Sequence, residues 1–242
     1  MKLASYLVDG RTSFGLALDG GLFDLGSRLP DRNDGLLARL QNGTLDELRA
    51  FESQARPELA FDAVTFLPPV PRPGKTLCVG INYRSRPGEF DQVAEPQYPS
   101  LFMRAATAQA AHLQPILRPL ESEQLDYEGE IALVIGRRGR RIAQADAMHY
   151  VAGYACYNEG SIRDWMKHGV YNVTAGKNFD ASGSFGPWMT TADEIKDPAN
   201  MRITTRVNSV TVQEDTSANM IAPFTRLISY ISTFTTLEPG DV

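Results

Sequence analysis

Residues 125–136 read Leu-Asp-Tyr-Glu-Gly-Glu-Ile-Ala-Leu-Val-Ile-Gly. The apolar run that closes this stretch predicts a buried strand over Glu128–Ile135. Side chains two apart on a strand share a face, so Glu128 and Glu130 point together with Cα atoms about 6.6 Å apart. Gly129 between them removes bulk from the opposite face. Two carboxylates at the mouth of an otherwise apolar strand must be neutralised by protons, by basic partners or by a cation. An all-oxygen set suits a hard divalent ion. A solvated, frayed strand end would carry the same pair, and the pair alone leaves both readings open.

Two further stretches carry chemistry. Tyr157-Asn-Glu-Gly-Ser-Ile-Arg-Asp-Trp165 follows a second apolar strand, and Asn158 or Ser161 can cap a helix starting near Gly160. Glu159 then sits at a strand-to-helix junction, either as a carboxylate on the helix dipole or as a ligand. Arg163 and Asp164 read as a structural ion pair, with each other or with neighbours. His168, past Trp165, could approach the site from the far end of that helix; His149 reads as a helix-surface residue. Lys177 lies between Gly176 and Asn178. It is either an exposed turn residue or, beside an acidic cluster, a group that holds a carboxylate or a developing oxyanion.

These residues need a scaffold, and the patterning predicts one rich in strands. Lys2–Val8, Ser13–Leu18 and Leu22–Leu25, split by Asp9-Gly10 and Asp19-Gly20-Gly21, form a three-strand meander. Thr44 and Glu47 make a capping-box pattern for a short helix. Leu67-Pro-Pro-Val-Pro-Arg-Pro-Gly74 cannot continue helix or central strand and marks a boundary between a small N-terminal β/α domain, 1–70, and a larger domain, 71–242. Strands follow at Thr76–Gly80, Leu101–Met103 and Val151–Tyr157, with a helix over Ile142–Tyr150. Asn208-Ser209 turns a hairpin between Met201–Val207 and Val210–Gln213. Pro223 opens a helix carrying Leu227, Ile228, Ile231 and Phe234 at helical spacing. The fold class is α+β.

Composition removes other classes of function. Of 242 residues, 43% are hydrophobic and 22% charged, which excludes wholesale disorder. Lys plus Arg total 24 against 29 Asp plus Glu, a net charge of -5. No basic excess exists to neutralise phosphates, so neither nucleic acid nor an anionic membrane is the partner. Cys78 and Cys156 stand in apolar runs without metal-ligand spacing and read as buried free thiols of a reducing compartment. No signal peptide or membrane span fits, and the expected location is cytoplasmic.

Taken together, Val79-Gly-Ile-Asn-Tyr83, Leu125–Glu130, Asn158–Asp164, Gly176-Lys177 with Phe179-Asp180, Gly186-Pro-Trp188 and Leu237-Glu-Pro-Gly-Asp-Val242 resemble the fumarylacetoacetate hydrolase family in order and spacing. The resemblance implies a mixed β-roll, a homodimer, Mg²⁺ or Mn²⁺, and a small 2-oxo acid substrate. The implied reaction is hydrolytic C–C cleavage of an acylpyruvate, with hydratase, decarboxylase or isomerase chemistry, or a non-catalytic dimer, as alternatives. Carried over by position, Glu128, Glu130 and Glu159 are metal ligands, Glu159 replacing the family's usual aspartate. Lys177 contacts substrate and steadies negative charge. Glu89, in a loop near residues 84–96 that orders over substrate, is the family's lid glutamate. Arg86 stands where the family has a catalytic histidine. Arginine is no base at neutral pH, which disfavours hydrolysis and suits binding of a second substrate carboxylate. Met166 replaces a glutamine. The family's last strand and Thr-Gly-Thr-Pro loop fall beyond Val242, so the resemblance implies that they are missing here.

Overall fold

The strand Val151–Asn158 organises the fold, because it is apolar along most of its length and takes partners on both edges. A computed structural model describes residues 1–29, 35–84, 95–170 and 172–242; Arg86 and Glu89 lie outside them. The N-terminal strands β1 (Lys2–Val8), β2 (Arg11–Leu18) and β3 (Gly21–Asp24) form the expected antiparallel meander. Asp9 (φ 51°) and Gly10 (φ 72°) make its first turn in the left-handed region. A helix α1 (Leu36–Gln41) follows, and β4 (Thr65–Leu67) pairs with β1 just before the prolines begin. Thr44 accepts no capping hydrogen bond. The segment after it, Leu45–Phe51, is a 3-10 helix in which only Leu48 is buried.

Beyond the prolines, β5 (Leu77–Gly80) and β6 (Ser100–Met103) pair antiparallel. The next strands are β7 (Gln109–Ala110), β8 (Leu125–Asp126), β9 (Gly129–Ile135), β10 (Val151–Asn158) and β11 (Ser161–Ile162). One helical turn, α2 (Thr174–Lys177), precedes β12 (Gly183–Phe185) and β13 (Met189–Thr191). The hairpin β14 (Arg202–Val207) and β15 (Val210–Thr216) turns at Asn208 (φ 49°) and Ser209 (φ 67°), where the sequence places it. Helix α3 (Phe224–Phe234) closes the described elements.

One sheet runs β3-β2-β1-β13-β10-β12-β7, with β9 beside β10 and β4 beside β1. The meander therefore joins the later strands through Leu3 opposite Met189. The β12–β7 pair is parallel, so the sheet is mixed. Leu3, Phe14, Leu25, Leu36, Leu40, Val134, Phe185 and Met189 share one buried cluster. Ile135, Val151 and Tyr154 pack with Ile228, Ile231 and Leu237 in a second. Each fully buried aliphatic side chain contributes about 1.5–3 kcal/mol, so these clusters anchor β9 and β10 in the core.

Other expectations change too: the helix expected over Ile142–Tyr150 is a 3-10 helix over Gln144–Tyr150. Phe234 is 55% exposed, because the apolar stripe of α3 ends at Ile231. Cys156 is exposed while Cys78 is buried, since alternate residues of β10 face outward near its end. In β9, Ile131 and Leu133 are only half-buried, because they pack against the second cluster on one side and line a cavity on the other.

Candidate metal and substrate site

β9 and β10 run antiparallel with Gly129 opposite Asn158 and Glu130 opposite Tyr157. That register brings Glu128 and Glu159, each just outside its strand, to the same end of the ladder. The Glu159 N–H donates to the Glu128 carbonyl at 2.8 Å, and the Glu128 N–H donates to Asn158 Oδ1 at 3.0 Å. Glu130, two residues on, turns its side chain the same way as Glu128. One carboxylate oxygen from each of Glu128, Glu130 and Glu159 lies within 4.8 Å of the others. Glu159 is 4% exposed, so the third carboxylate is buried rather than solvated.

No helix starts at Gly160. A Cβ there would sit 1.8 Å from the Ser182 carbonyl oxygen. The chain stays extended instead and pairs β11 with β8, Ser161 opposite Asp126. Ser161 Oγ then donates to Glu128 Oε1 at 2.9 Å. Asn158 bonds Glu128 rather than capping a helix.

Lys177, 3% exposed, is carried inward by α2. Its Nζ donates to Glu128 Oε2 at 2.7 Å and to Glu159 Oε1, and lies 5.1 Å from the centre of the Phe102 ring. It is not an exposed turn residue. Arg163 pairs not with Asp164 but with Asp126 Oδ2 at 2.8 Å and Glu128 Oε1 at 2.7 Å. Asp164 accepts from Ser122 Oγ. Arg104, 3% exposed, donates to the neutral carbonyls of Gly160 and Ala108 and to Ser182 Oγ. Lys177 and Arg163 thus bridge Asp126, Glu128 and Glu159, and Glu130 adds its carboxylate to the Glu128–Glu159 pair. That donor set fits a hard divalent cation.

Burial pushes Glu128 up, but Lys177 and Arg163 and the hydrogen bonds from Lys177 and Ser161 outweigh it and hold its carboxyl below the usual range. Glu159 is held above that range by burial and by Glu128, despite Lys177. Burial also raises the Cys78 thiol well above its ordinary value, leaving it an inert neighbour.

The cluster opens on a cavity of about 1020 Å³. Tyr83, Phe102, Met166 and Lys177 line it near the carboxylates; Leu133, Leu227 and Ile231 line it further away. His168 is exposed and packs at a tilt against Trp165, ring centres 4.4 Å apart, and is not among the residues lining this cavity. Arg163, Asn158, Ser161 and Gln213 escaped the sequence reading as site residues. Only Asp126, in step with Glu128 and Glu130 at period two, carried a local signal.

A family model described as fumarylacetoacetate (FAA) hydrolase C-terminal matches residues 75–242. The chain is 37% identical over 226 residues to the Bos taurus protein named oxaloacetate tautomerase FAHD2A, mitochondrial, covering 92% of this chain and 72% of that one. It is 34% identical over 242 residues to the Homo sapiens protein of the same name, covering 99% and 77%. Among solved structures, a fumarylacetoacetate hydrolase from psychrophilic Exiguobacterium antarcticum superposes with a TM-score of 0.81 at 29% identity, over 100% of this chain and 84% of the other.

Proposed function

The chain belongs to the fumarylacetoacetate hydrolase family, and we propose that it is a divalent-metal-dependent enzyme that enolises a small 2-oxo acid. The favoured reaction is keto–enol tautomerisation of a 2-oxo dicarboxylate such as oxaloacetate. The observation that carries this reading is the convergence of Glu128, Glu130 and Glu159 within 4.8 Å beside a buried lysine. These three carboxylates would hold Mg²⁺ or Mn²⁺. When bound, such an ion supplies Lewis acidity toward the substrate's oxo oxygen and carboxylate.

The chain's own groups do the rest. Lys177 presents a cation and donor where negative charge builds on the oxo oxygen. Arg163 and Ser161 fix the Glu128 carboxylate through Oε1, leaving its orientation set before substrate enters. Arg86 is proposed to bind the second carboxylate of the substrate. Glu89 is proposed to take the proton from the carbon next to the oxo group while solvent supplies one to the enolate oxygen, and in enol decay Glu89 returns the proton to carbon as the oxygen gives its own to solvent; both roles rest on sequence position.

Tautomerisation is preferred to acylpyruvate hydrolysis because Arg86 replaces the histidine that hydrolysis would use as base, and because the relatives above carry the tautomerase name. Hydrolytic C–C cleavage is the second reading, favoured by Lys177, which would steady an enolate leaving group equally well. We also propose a homodimer and a cytoplasmic location; among the described residues no helix is long and apolar enough to cross a membrane.

The test is the decay of the oxaloacetate enol band in Mn²⁺ or Mg²⁺ buffer, run beside pyruvate release from an acylpyruvate. The expected result is enzyme-dependent enol decay well above the metal blank and faster than any cleavage. No acceleration of enol decay would contradict the proposal, and cleavage alone would select the second reading.

A further inference from the structure

Gly129 sits between two of the three carboxylates, and in a strand a residue's own N–H and C=O point to the same edge. Among the described residues, no strand backbone pairs with that edge of Gly129; one side chain, Gln213 of β15, stands there. The Gly129 N–H donates to Gln213 Oε1 at 2.9 Å, and Gln213 Nε2 donates to the Gly129 carbonyl at 2.8 Å. The orientation of the carboxamide is fixed by its partners, since an amide N–H can only donate and a carbonyl can only accept. Thr205 Oγ1, from the cross-strand partner of Gln213, donates to the same Oε1 at 3.1 Å. One glutamine thus supplies both hydrogen bonds that an adjacent strand would have made.

The hairpin is fitted closely to this point. A Cβ on Gly129 would lie 1.9 Å from Thr205 Oγ1 and 3.0 Å from Gln213 Oε1. Tyr127, on the other side of Glu128, donates its hydroxyl to the Val212 carbonyl at 3.4 Å. Elsewhere the hairpin turns outward, with Val207, Val210 and Val212 exposed. Meanwhile the backbone of Glu128 is held on the opposite edge by Asn158 and Glu159. The start of β9 is therefore gripped on both edges.

We propose that Gln213 is a positioning residue for the metal site: its carboxamide locks the Glu128-Gly129-Glu130 backbone and so fixes the spacing of two ligand carboxylates. This rests on the reading that these glutamates hold a divalent ion. Without the grip, the entrance of β9 is the frayed strand end that an isolated Glu-Gly-Glu would make. Displacing a group that orients ligands costs 10–100-fold in metal affinity.

The experiment is Mn²⁺ titration by calorimetry of the full chain, wild type against Gln213→Leu and Gln213→Asn, with thermal melts of the metal-free proteins. Gln213 is half-buried on a hairpin, so folding should survive, and the Asn variant keeps the amide but is one methylene too short. The expected result is ~10–100-fold weaker Mn²⁺ binding in both variants, with melting temperatures within ~4 °C of wild type. A role in stability alone would move the melts and leave Mn²⁺ affinity unchanged, and that result overturns the inference while leaving the metal site standing. A wild type that takes up no Mn²⁺ overturns the site reading and this inference with it.

Discussion

Glu128 and Glu159 lie at facing ends of two antiparallel strands and are tied twice. The Glu159 N–H donates to the Glu128 carbonyl at 2.8 Å, and Lys177 Nζ donates to both carboxylates. The backbone tie sets where the two side chains start, and the ammonium sets where they end. Without such partners, burial would push both carboxyls up; with them, Glu128 is held below the usual range while Glu159 stays above it.

Lys177→Met removes the cation proposed to face the reacting oxo group and should lower kcat by ~10²–10³. Mn²⁺ affinity should not fall, because the ammonium lies against two of the three carboxylates and shields them. Lys177→Arg should recover little, since the guanidinium fork presents its donors differently. Steady-state turnover of oxaloacetate enol, with calorimetry on the same variants, checks both parts. A Met variant as fast as wild type would remove the charge-stabilising role.

Gly160→Ala places a methyl 1.8 Å from the Ser182 carbonyl oxygen, a backbone atom that cannot rotate away. The turn after Glu159 must then shift. Overpacking of this kind costs about 3 kcal/mol, which lowers the melting temperature of a chain this size by ~6–12 °C. Differential scanning of the metal-free protein measures it. A drop below ~2 °C would show that β11 and β12 part more easily than their packing implies.

Asp24 gives the fold a pH dependence away from the site. Burial pushes its carboxyl up, but hydrogen bonds from Ser13, Arg11 at 3.0 Å and Tyr6 at 3.1 Å outweigh it and hold it below its ordinary value. A folded value below the unfolded one stabilises the native state above ~pH 4, and this is lost as pH falls through the folded value. Melting temperature against pH should therefore fall less steeply between ~pH 4 and ~pH 2 in Asp24→Asn than in wild type. Parallel curves would mean that Asp24 titrates alike in both states.

Local chemistry explains which parts of this structure are legible in the sequence. The turns at Asp9-Gly10 and Asn208-Ser209 demand positive φ, and the stripe Leu227, Ile228, Ile231 has helical period, so the meander, the hairpin and α3 follow from neighbours along the chain. The Glu128–Glu130 pair is visible for the same reason. The helix expected at Gly160 fails because contacts with Ser182 and Asp126, distant in sequence, override a favourable capping pattern. Thr44 likewise has a capping pattern that its backbone does not use. Lys177 and Arg163 reach the carboxylates through tertiary packing, and no local spacing marks them. Gln213 meets Gly129 across 84 residues, beyond any periodicity.

The central claim is that Glu128, Glu130 and Glu159 hold one divalent cation through oxygen ligands. Calorimetry with Mn²⁺ and Mg²⁺ on wild type and Glu130→Ala tests it most directly, because Glu130 projects into the cluster without carrying the Lys177 and Arg163 bridges of Glu128. Saturable one-site binding by the wild type, lost in Glu130→Ala while the variant keeps its fold, is the predicted result. Equal binding by the two proteins, or none by the wild type, would contradict it.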